Sequence, residues 1–255
     1  MNMILAVMYR EYRIRVTSSV WMFFDLCMPL IYLVMFGIGL DRAMTGGVAM
    51  GESQINYQSF FLGGVLSMAS FGIAINTSYG FFVDRDNGIF YEFLTYPMTR
   101  GEFLIGKIIF NCLLAVVSAS ITIGVSVFAL DISIDWSRSG FALAGIVLGT
   151  AGWFFFLALL ALRITRSDIY NTVLNIAYFV LMFASSMFYP IENMPVWLKY
   201  VAHANPLTWH TDVLRYTTIG VGNPETIIIE AAAFALFLAV SFWFAVRTLQ
   251  DVAVK

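Results

Sequence analysis

Charge is scarce in this 255-residue sequence. Only 12% of its residues are charged, about half the share of an ordinary soluble domain, while 60% are hydrophobic and the mean hydropathy is +0.82. A water-soluble sphere of this size has no interior large enough to hide that apolar excess, so lipid and neighbouring helices are the expected surroundings of most side chains. A basic surplus is missing too: fourteen Lys and Arg stand against sixteen Asp and Glu, which excludes a nucleic-acid footprint built on a basic face. Cysteine and histidine are rarer still. Cys27 and Cys112 both sit in apolar runs and make neither a disulfide framework nor a metal site. His203 and His210, close to Asp212, match no established metal-ligand spacing. Internal repeats, low-complexity stretches and Pro- or Ser-rich linkers are lacking, so residues 1–255 read as one domain.

What the sequence has is long apolar runs. A helix needs about twenty apolar residues to cross roughly 30 Å of hydrocarbon. Six segments meet that length, at about 20–40, 60–83, 108–130, 141–162, 170–188 and 227–246. The runs are continuously apolar and lack the alternation of membrane-barrel strands, which predicts an all-α integral membrane protein of six transmembrane helices. With the N-terminus inside, the cytoplasmic Lys and Arg are Arg10, Arg13, Arg15, Arg85, Arg100, Lys107, Arg163, Arg166, Arg247 and Lys255. Only Arg42, Arg138, Lys199 and Arg215 lie outside, in accord with the positive-inside rule and two cytoplasmic termini. The Arg-rich start carries Glu11 and leads into a run without a small-residue cleavage site, so it reads as a permanent part of the chain.

Three segments between the runs are unusual. In residues 1–17, Ile4, Leu5, Met8 and Tyr12 recur at helical spacing with the arginines on other faces. This predicts a helix in the cytoplasmic interface with its basic side on anionic headgroups, or else a basic flank that only sets topology. The cytoplasmic connection 84–107 is longer than an antiparallel helix pair requires and mixes Phe90, Tyr91, Phe93, Leu94 and Tyr96 with charges. A short amphipathic helix broken near Pro97 follows, docked either on another protein or under its own bundle. Gly101, Gly106 and Lys107 match most of a phosphate-binding loop, but Ile108 stands where a hydroxyl must ligate magnesium, so nucleotide binding by this chain is not expected. The outer connection 189–224 is too long for a hairpin and too apolar for a free loop. Residues 195–202 and 207–216 each suit a short helix, Pro195 starting the first and Asn205-Pro206 separating the two. Trp197 and Trp209 are placed for the outer interface.

Catalytic chemistry is hard to find. Gly124-Val125-Ser126 superficially matches an intramembrane serine protease, yet neither histidine lies in a span. Asp25 and Glu230 are the ionisable groups inside spans. Each either pairs or meets water along a substrate path, or reaches up to the interface from near a span end. Asn76, Asn111, Asn171 and Asn175 either bridge helices or line a wet path, and Gly145 with Gly149 would let two helices approach closely.

Two stretches carry a resemblance. The first is Leu94-Thr95-Tyr96-Pro97-Met98-Thr99-Arg100-Gly101-Glu102-Phe103, followed by Gly106-Lys107. The second is Phe188-Tyr189-Pro190-Ile191-Glu192-Asn193-Met194-Pro195, continuing through Asn205-Pro206-Leu207-Thr208 to Asp212 and Leu214-Arg215. With the six-span layout they resemble the type-2 (ABC-2) permeases of ATP-binding-cassette transporters, which include drug, lipid, lipo-oligosaccharide and polysaccharide exporters. The resemblance implies an N-terminal interfacial helix and a cytoplasmic coupling helix between spans two and three, with Tyr91, Glu92, Phe93, Leu94, Tyr96, Pro97, Arg100 and Glu102 coupling to the ATPase. It also implies short re-entrant helices before span six, an outer gate carrying Tyr189, Pro190, Pro195, Trp197, Asn205, Pro206, Asp212 and Arg215. Two ATP-binding-cassette ATPase subunits, which bind the ATP and Mg, would drive a dimer of permease subunits. This chain would hold no cofactor and no catalytic residue, in the plasma (cytoplasmic or inner) membrane. Substrate would move outward between the two permeases, with Asp25, Asn76, Asn111 and Glu230 as candidate pathway residues. The alternatives are an ion-gradient-driven carrier or channel, with Asp25 and Glu230 as coupling acids, and an intramembrane enzyme.

Overall fold

The computed structural model describes residues 3–43, 46–50, 53–89, 92, 95–96 and 98–252; Tyr91, Phe93, Leu94 and Pro97 of the expected coupling segment lie outside the described residues. Helices dominate: α1 Met3–Thr17, α2 Ser19–Tyr32, α3 Ile38–Ala43, α4 Tyr57–Asp86, α5 Arg100–Leu130, α6 Ser139–Arg163, α7 Ser167–Phe183, α8 Val196–Ala204, α9 Pro206–Ile219 and α10 Pro224–Val252. An exception to the all-α expectation is a hairpin of two three-residue strands, β1 Val48–Met50 antiparallel to β2 Ser53–Ile55, with Val48 opposite Ile55.

Five helical stretches are long and apolar enough to cross a bilayer: Ser19–Arg42, Tyr57–Asp86, Arg100–Leu130, Trp136–Arg163 and Pro224–Leu249. The expected run at 170–188 is different. Its helix, α7, has 17 residues, about 26 Å at roughly 1.5 Å per residue, and ends five residues early. Asn205 accounts for the end, because its side-chain amide donates to the carbonyls of Leu181 (2.8 Å) and Ala184 (2.9 Å) in the last turn of α7. Those carbonyls have no partner further along the helix, and a fixed donor there satisfies them and terminates it.

The first spanning stretch is one helix with an irregularity. Pro29 lies inside α2 and a π-turn, Leu33–Gly37, joins α2 to α3. Proline has no N–H to give the carbonyl four residues back. That carbonyl belongs to Asp25, and the Ser118 hydroxyl of α5 donates to it at 3.1 Å. A residue that would weaken an isolated helix thus ties α2 to its neighbour.

At the centre is α4, whose Gly63, Gly64, Ser67, Ala69, Ser70 and Ala74 are all buried. Small side chains let α5, α6 and α9 approach its backbone: a Cβ on Gly63 would stand 2.7 Å from the Arg215 Cβ, and one on Gly64 would stand 2.7 Å from the Met187 carbonyl oxygen. Larger groups fill the gaps between layers, with Trp153 of α6 against Phe71 of α4 (ring centroids 4.3 Å apart) and Phe234 and Phe237 of α10 on its other side. Helix α1 lies across the start of α5, seated by Gly106, where a Cβ would come within 2.9 Å of the Val7 Cβ. A capping box starts α5: Thr99 Oγ1 accepts from the Glu102 N–H at 3.2 Å while the Glu102 carboxylate accepts from the Thr99 N–H at 2.7 Å.

Candidate functional site

Two buried polar clusters hold opposite ends of the bundle. Phe60 belongs to one and Asp84 to the other, and along α4 they are about 36 Å apart at 1.5 Å per residue.

The first cluster joins α1 to the ends of α2, α4 and α5. One face of α1 carries Val7, Glu11 and Arg15 at four-residue intervals, and all three are buried. Lys107 of α5, 1% exposed, donates to Glu11 at 2.7 Å and to Asp84 at 2.8 Å, and Arg10 donates to both Asp84 oxygens at 2.9 and 2.5 Å. One turn further along α1, Arg15 pairs with Asp25 at 2.8 Å and donates to Asn111 at 3.0 Å and to Thr77 at 3.2 Å; Asn76 donates to the other Asp25 oxygen at 2.6 Å. Arg10, Arg15 and Lys107 balance Glu11, Asp25 and Asp84, so the cluster carries no net charge. That balance is what permits six ionic groups in an apolar bundle.

This arrangement revises one expectation, decides between the alternatives for Asp25, and gives the imitation phosphate loop its use. The basic side of α1 is not all given over to headgroups: Arg15 is 6% exposed and turned inward by the Asp25 carboxylate, while Arg13 is exposed. Asp25 does not reach up to an interface, because Arg15 and Asn76 hold its carboxylate inside. The residues that imitate a phosphate loop have another use, Gly106 making room for Val7 and Lys107 bridging two carboxylates. The structure therefore brings Asp25, Asn76 and Asn111 together around one arginine that composition did not single out. The signal was available as Glu11 and Arg15 sharing a helix face with Val7.

The second cluster is built on α9. Asn205 accepts from the Leu207 N–H at 2.9 Å, so one side chain ends α7 and starts α9, with Pro206 in the first helical position. Arg215, 1% exposed, pairs with Asp212, donates to the Phe60 carbonyl at 3.0 Å and to the Ser186 carbonyl at 2.8 Å, and lies 4.0 Å above the Phe60 ring. The Ser186 hydroxyl donates to Asp212 at 2.7 Å. Burial pushes the Asp212 carboxyl above the usual carboxylate range, opposed by Arg215 and Ser186. Neighbouring Tyr57 and Tyr189 donate to the carbonyls of Phe188 (2.8 Å) and Phe183 (2.5 Å). Pro190 precedes a 3-10 turn at Ile191–Asn193, Pro195 caps the start of α8, and Trp197 faces outward from it.

Gly145 and Gly149 do mediate a close approach, and the neighbour is α9. A Cβ on Gly149 would lie 2.0 Å from Nε2 of His210, and it is this missing Cβ that lets the ring reach the Gly145 carbonyl at 3.2 Å. His210 also stacks on Phe234 with centroids 5.0 Å apart, and burial pushes its imidazole down to about 4, partly opposed by the Gly145 carbonyl. His203 is instead on the rim of a cavity with Asp212, and among the described residues no three His, Cys, Asp or Glu gather as metal ligands. Ser126 donates to the Ile123 carbonyl at 2.7 Å. The Asn175 side-chain amide donates to the Asn171 backbone carbonyl at 2.8 Å, within α7.

Near the start of α5, Tyr96 is 52% exposed and the Nε of Arg100 is buried without a partner among the described residues. Glu92 is exposed, and its carbonyl accepts from the Thr95 N–H at 3.1 Å.

A protein-family model described as "ABC-2 type transporter" matches residues 2–219, from the start of α1 through the end of α9. The chain belongs to the ABC-2 type transporter family. Among the relatives of this ABC-2 chain is the daunorubicin resistance ABC transporter permease protein DrrB1 of Streptomyces coeruleorubidus, 29% identical over 185 residues, covering 71% of this chain and 62% of that protein. The ycf38 protein of Cyanophora paradoxa is 27% identical over 193 residues, 74% of this chain and 64% of its own length. A third, named "Probable multidrug ABC transporter permease YbhR" in Escherichia coli strain K12, is 26% identical over 166 residues, 63% of this chain and 44% of its own. The ABC-2 chain thus aligns with less than two thirds of each relative. Both polar clusters contain residues within the matched region, while α10, which carries Glu230, lies beyond it.

Proposed function

We propose that this chain is the transmembrane permease subunit of an ABC exporter, working as a dimer above two ATPase subunits that bind and hydrolyse the ATP. The observation that carries the reading is the family match across residues 2–219. In this reading α7 is the fifth of six crossings, extended by the irregular residues that follow it, and α1 lies on the cytoplasmic side in the inner or plasma membrane. The segment 85–102 is the coupling element, with half-exposed Tyr96 available to an ATPase surface. α8 and α9 form the outer gate. The apolar face of α2, where Val20, Phe23, Phe24 and Met28 are exposed, supports contact with a second permease or lipid. Export of a drug-like compound is the cargo class that the names of DrrB1 and YbhR favour. An ion-gradient carrier is not favoured by the family, and the Asp25 charge is already matched by Arg15.

Purification from the native host in mild detergent tests this. An ATPase of roughly the size of a single nucleotide-binding domain, about 150–300 residues, is expected to co-purify and to lose coupling in a Tyr96→Ala, Arg100→Ala variant. Efflux that persists when the partner ATPase is catalytically dead would overturn the proposal.

A further inference from the structure

A cavity of about 690 Å³ opens between α8, α9 and the start of α10, beside the hairpin residue Met50. That volume is in the range of sites for drug-sized ligands, roughly 300–1,000 Å³. Its wall mixes apolar groups, among them Ile191, Val221 and Ile227, with five charged side chains. Glu192, Asp212 and Glu230 are acidic and Lys199 and Arg215 basic, one more acid than bases.

The buried acid without a partner is Glu230. Asp212 is neutralised by Arg215 and hydrogen-bonded by Ser186. Arg215 directs Nε to Phe60, one terminal nitrogen to Asp212 and the other to Ser186, and reaches no oxygen of Glu230. Glu230 is 7% exposed and, among the described residues, receives no hydrogen bond or ion pair; its Oε2 is buried and unpartnered. Among the described residues Lys199 makes no ion pair with it either. A carboxyl removed from water without a partner keeps an unmet demand for a hydrogen-bond donor, and a ligand that brings an ammonium group to it supplies both the donor and the opposite charge. The apolar wall on the same cavity suits a ligand with a hydrocarbon or ring body.

We propose that this cavity binds an organic ammonium ion, with Glu230 as its counter-ion and the Ile191, Val221 and Ile227 side of the wall holding its apolar part. The inference goes beyond the transport reading, since equilibrium binding requires neither ATP nor an ATPase. A failure of coupling therefore leaves it standing.

The probe is dansylcadaverine, which joins a primary ammonium to an environment-sensitive ring system. Its emission is titrated against the full chain, with any co-purifying subunits, in lipid nanodiscs without nucleotide, and empty nanodiscs are subtracted. Saturable blue-shifted emission is expected, with at least about a ten-fold weaker affinity for N-acetylated dansylcadaverine and for the Glu230→Gln variant, the loss of one charge-assisted hydrogen bond. Glu225→Gln, on the same helix but outside the cavity, is expected to bind normally, and Val221→Trp, which narrows the cavity at its apolar wall while keeping Glu230, is expected to weaken binding. Equal affinity for the acetylated probe, unchanged binding by Glu230→Gln or by Val221→Trp, or a signal no larger than that of empty nanodiscs would overturn the proposal.

Discussion

Replacing Lys107 by methionine keeps most of its hydrocarbon length and removes a charge that two carboxylates share. Lys107 is 1% exposed at its side chain, Glu11 5% and Asp84 7%, so neither acid can turn to water without moving α1. Arg10 remains on Asp84 with two short contacts, but it is 26% exposed and reaches Glu11 only at 3.3 Å. One buried carboxylate is then left nearly unmatched, and removing one partner of a buried ion pair costs about 3–5 kcal/mol. The assay is unfolding in mixed detergent–SDS micelles. Maleimide labelling of a Val7→Cys reporter, at a position 2% exposed in the native packing, follows release of α1. The companion variant Lys107→Met, Glu11→Leu removes the cation and the orphaned acid together while leaving Arg10 on Asp84, and it is expected to recover at least half of the lost stability. A single variant costing less than about 1 kcal/mol, or a double variant less stable than the single, would refute the view that charge balance in this cluster holds α1 to the bundle.

Three further outcomes follow from other contacts. Gly149→Ala is expected to destabilise by about 1–3 kcal/mol, since its methyl would occupy the His210 ring position, and His210→Ala in the same chain should relieve most of that loss in the same micelle assay. Ser118→Ala leaves the Asp25 carbonyl, already deprived of a helical donor by Pro29, without the hydroxyl it accepts from, at a cost of about 1–2 kcal/mol by SDS titration. The folded chain keeps His210 neutral down to about pH 4, whereas an ordinary imidazole takes its proton near 6.5. Between those values the unfolded state binds the extra proton, so stability is full above pH 6.5 and falls as the pH is lowered toward 4, by about 3 kcal/mol in all. Unfolding titrations across that range should show the slope in wild type and a loss of it in His210→Gln.

The two clusters divide the polar work of the bundle differently. At the α1 end, opposite charges are matched and the amide groups of Asn76 and Asn111 complete the shell, which suits a rigid attachment. At the α9 end, one arginine is shared among a carboxylate, two carbonyls and a ring, and a further acid, Glu230, is left over beside open space. A buried acid without a partner next to a cavity is the feature that a packed scaffold alone does not require.

Hydropathy and spacing in the sequence alone establish where the long apolar helices run, because about twenty apolar residues in succession have few other fates. The breaks at Pro195 and at Asn205-Pro206 likewise announced α8 and α9, since proline acts through its own backbone. The end of α7 was not legible, because the donor that stops it, Asn205, lies more than twenty residues further on. Nor were the partners of the charges. Arg10 meets Asp84 across 74 residues and Lys107 meets Glu11 across 96, and whether they face each other depends on how each helix is rotated about its axis. A rotation of one residue, about 100°, turns a buried side chain toward lipid, and composition does not record it. Sequence periodicity named Ile4, Leu5, Met8 and Tyr12 as the apolar stripe of α1; tertiary structure decided that Val7, Glu11 and Arg15 face the bundle, because the missing Cβ at Gly106, the Lys107 ammonium and the Asp25 carboxylate receive them.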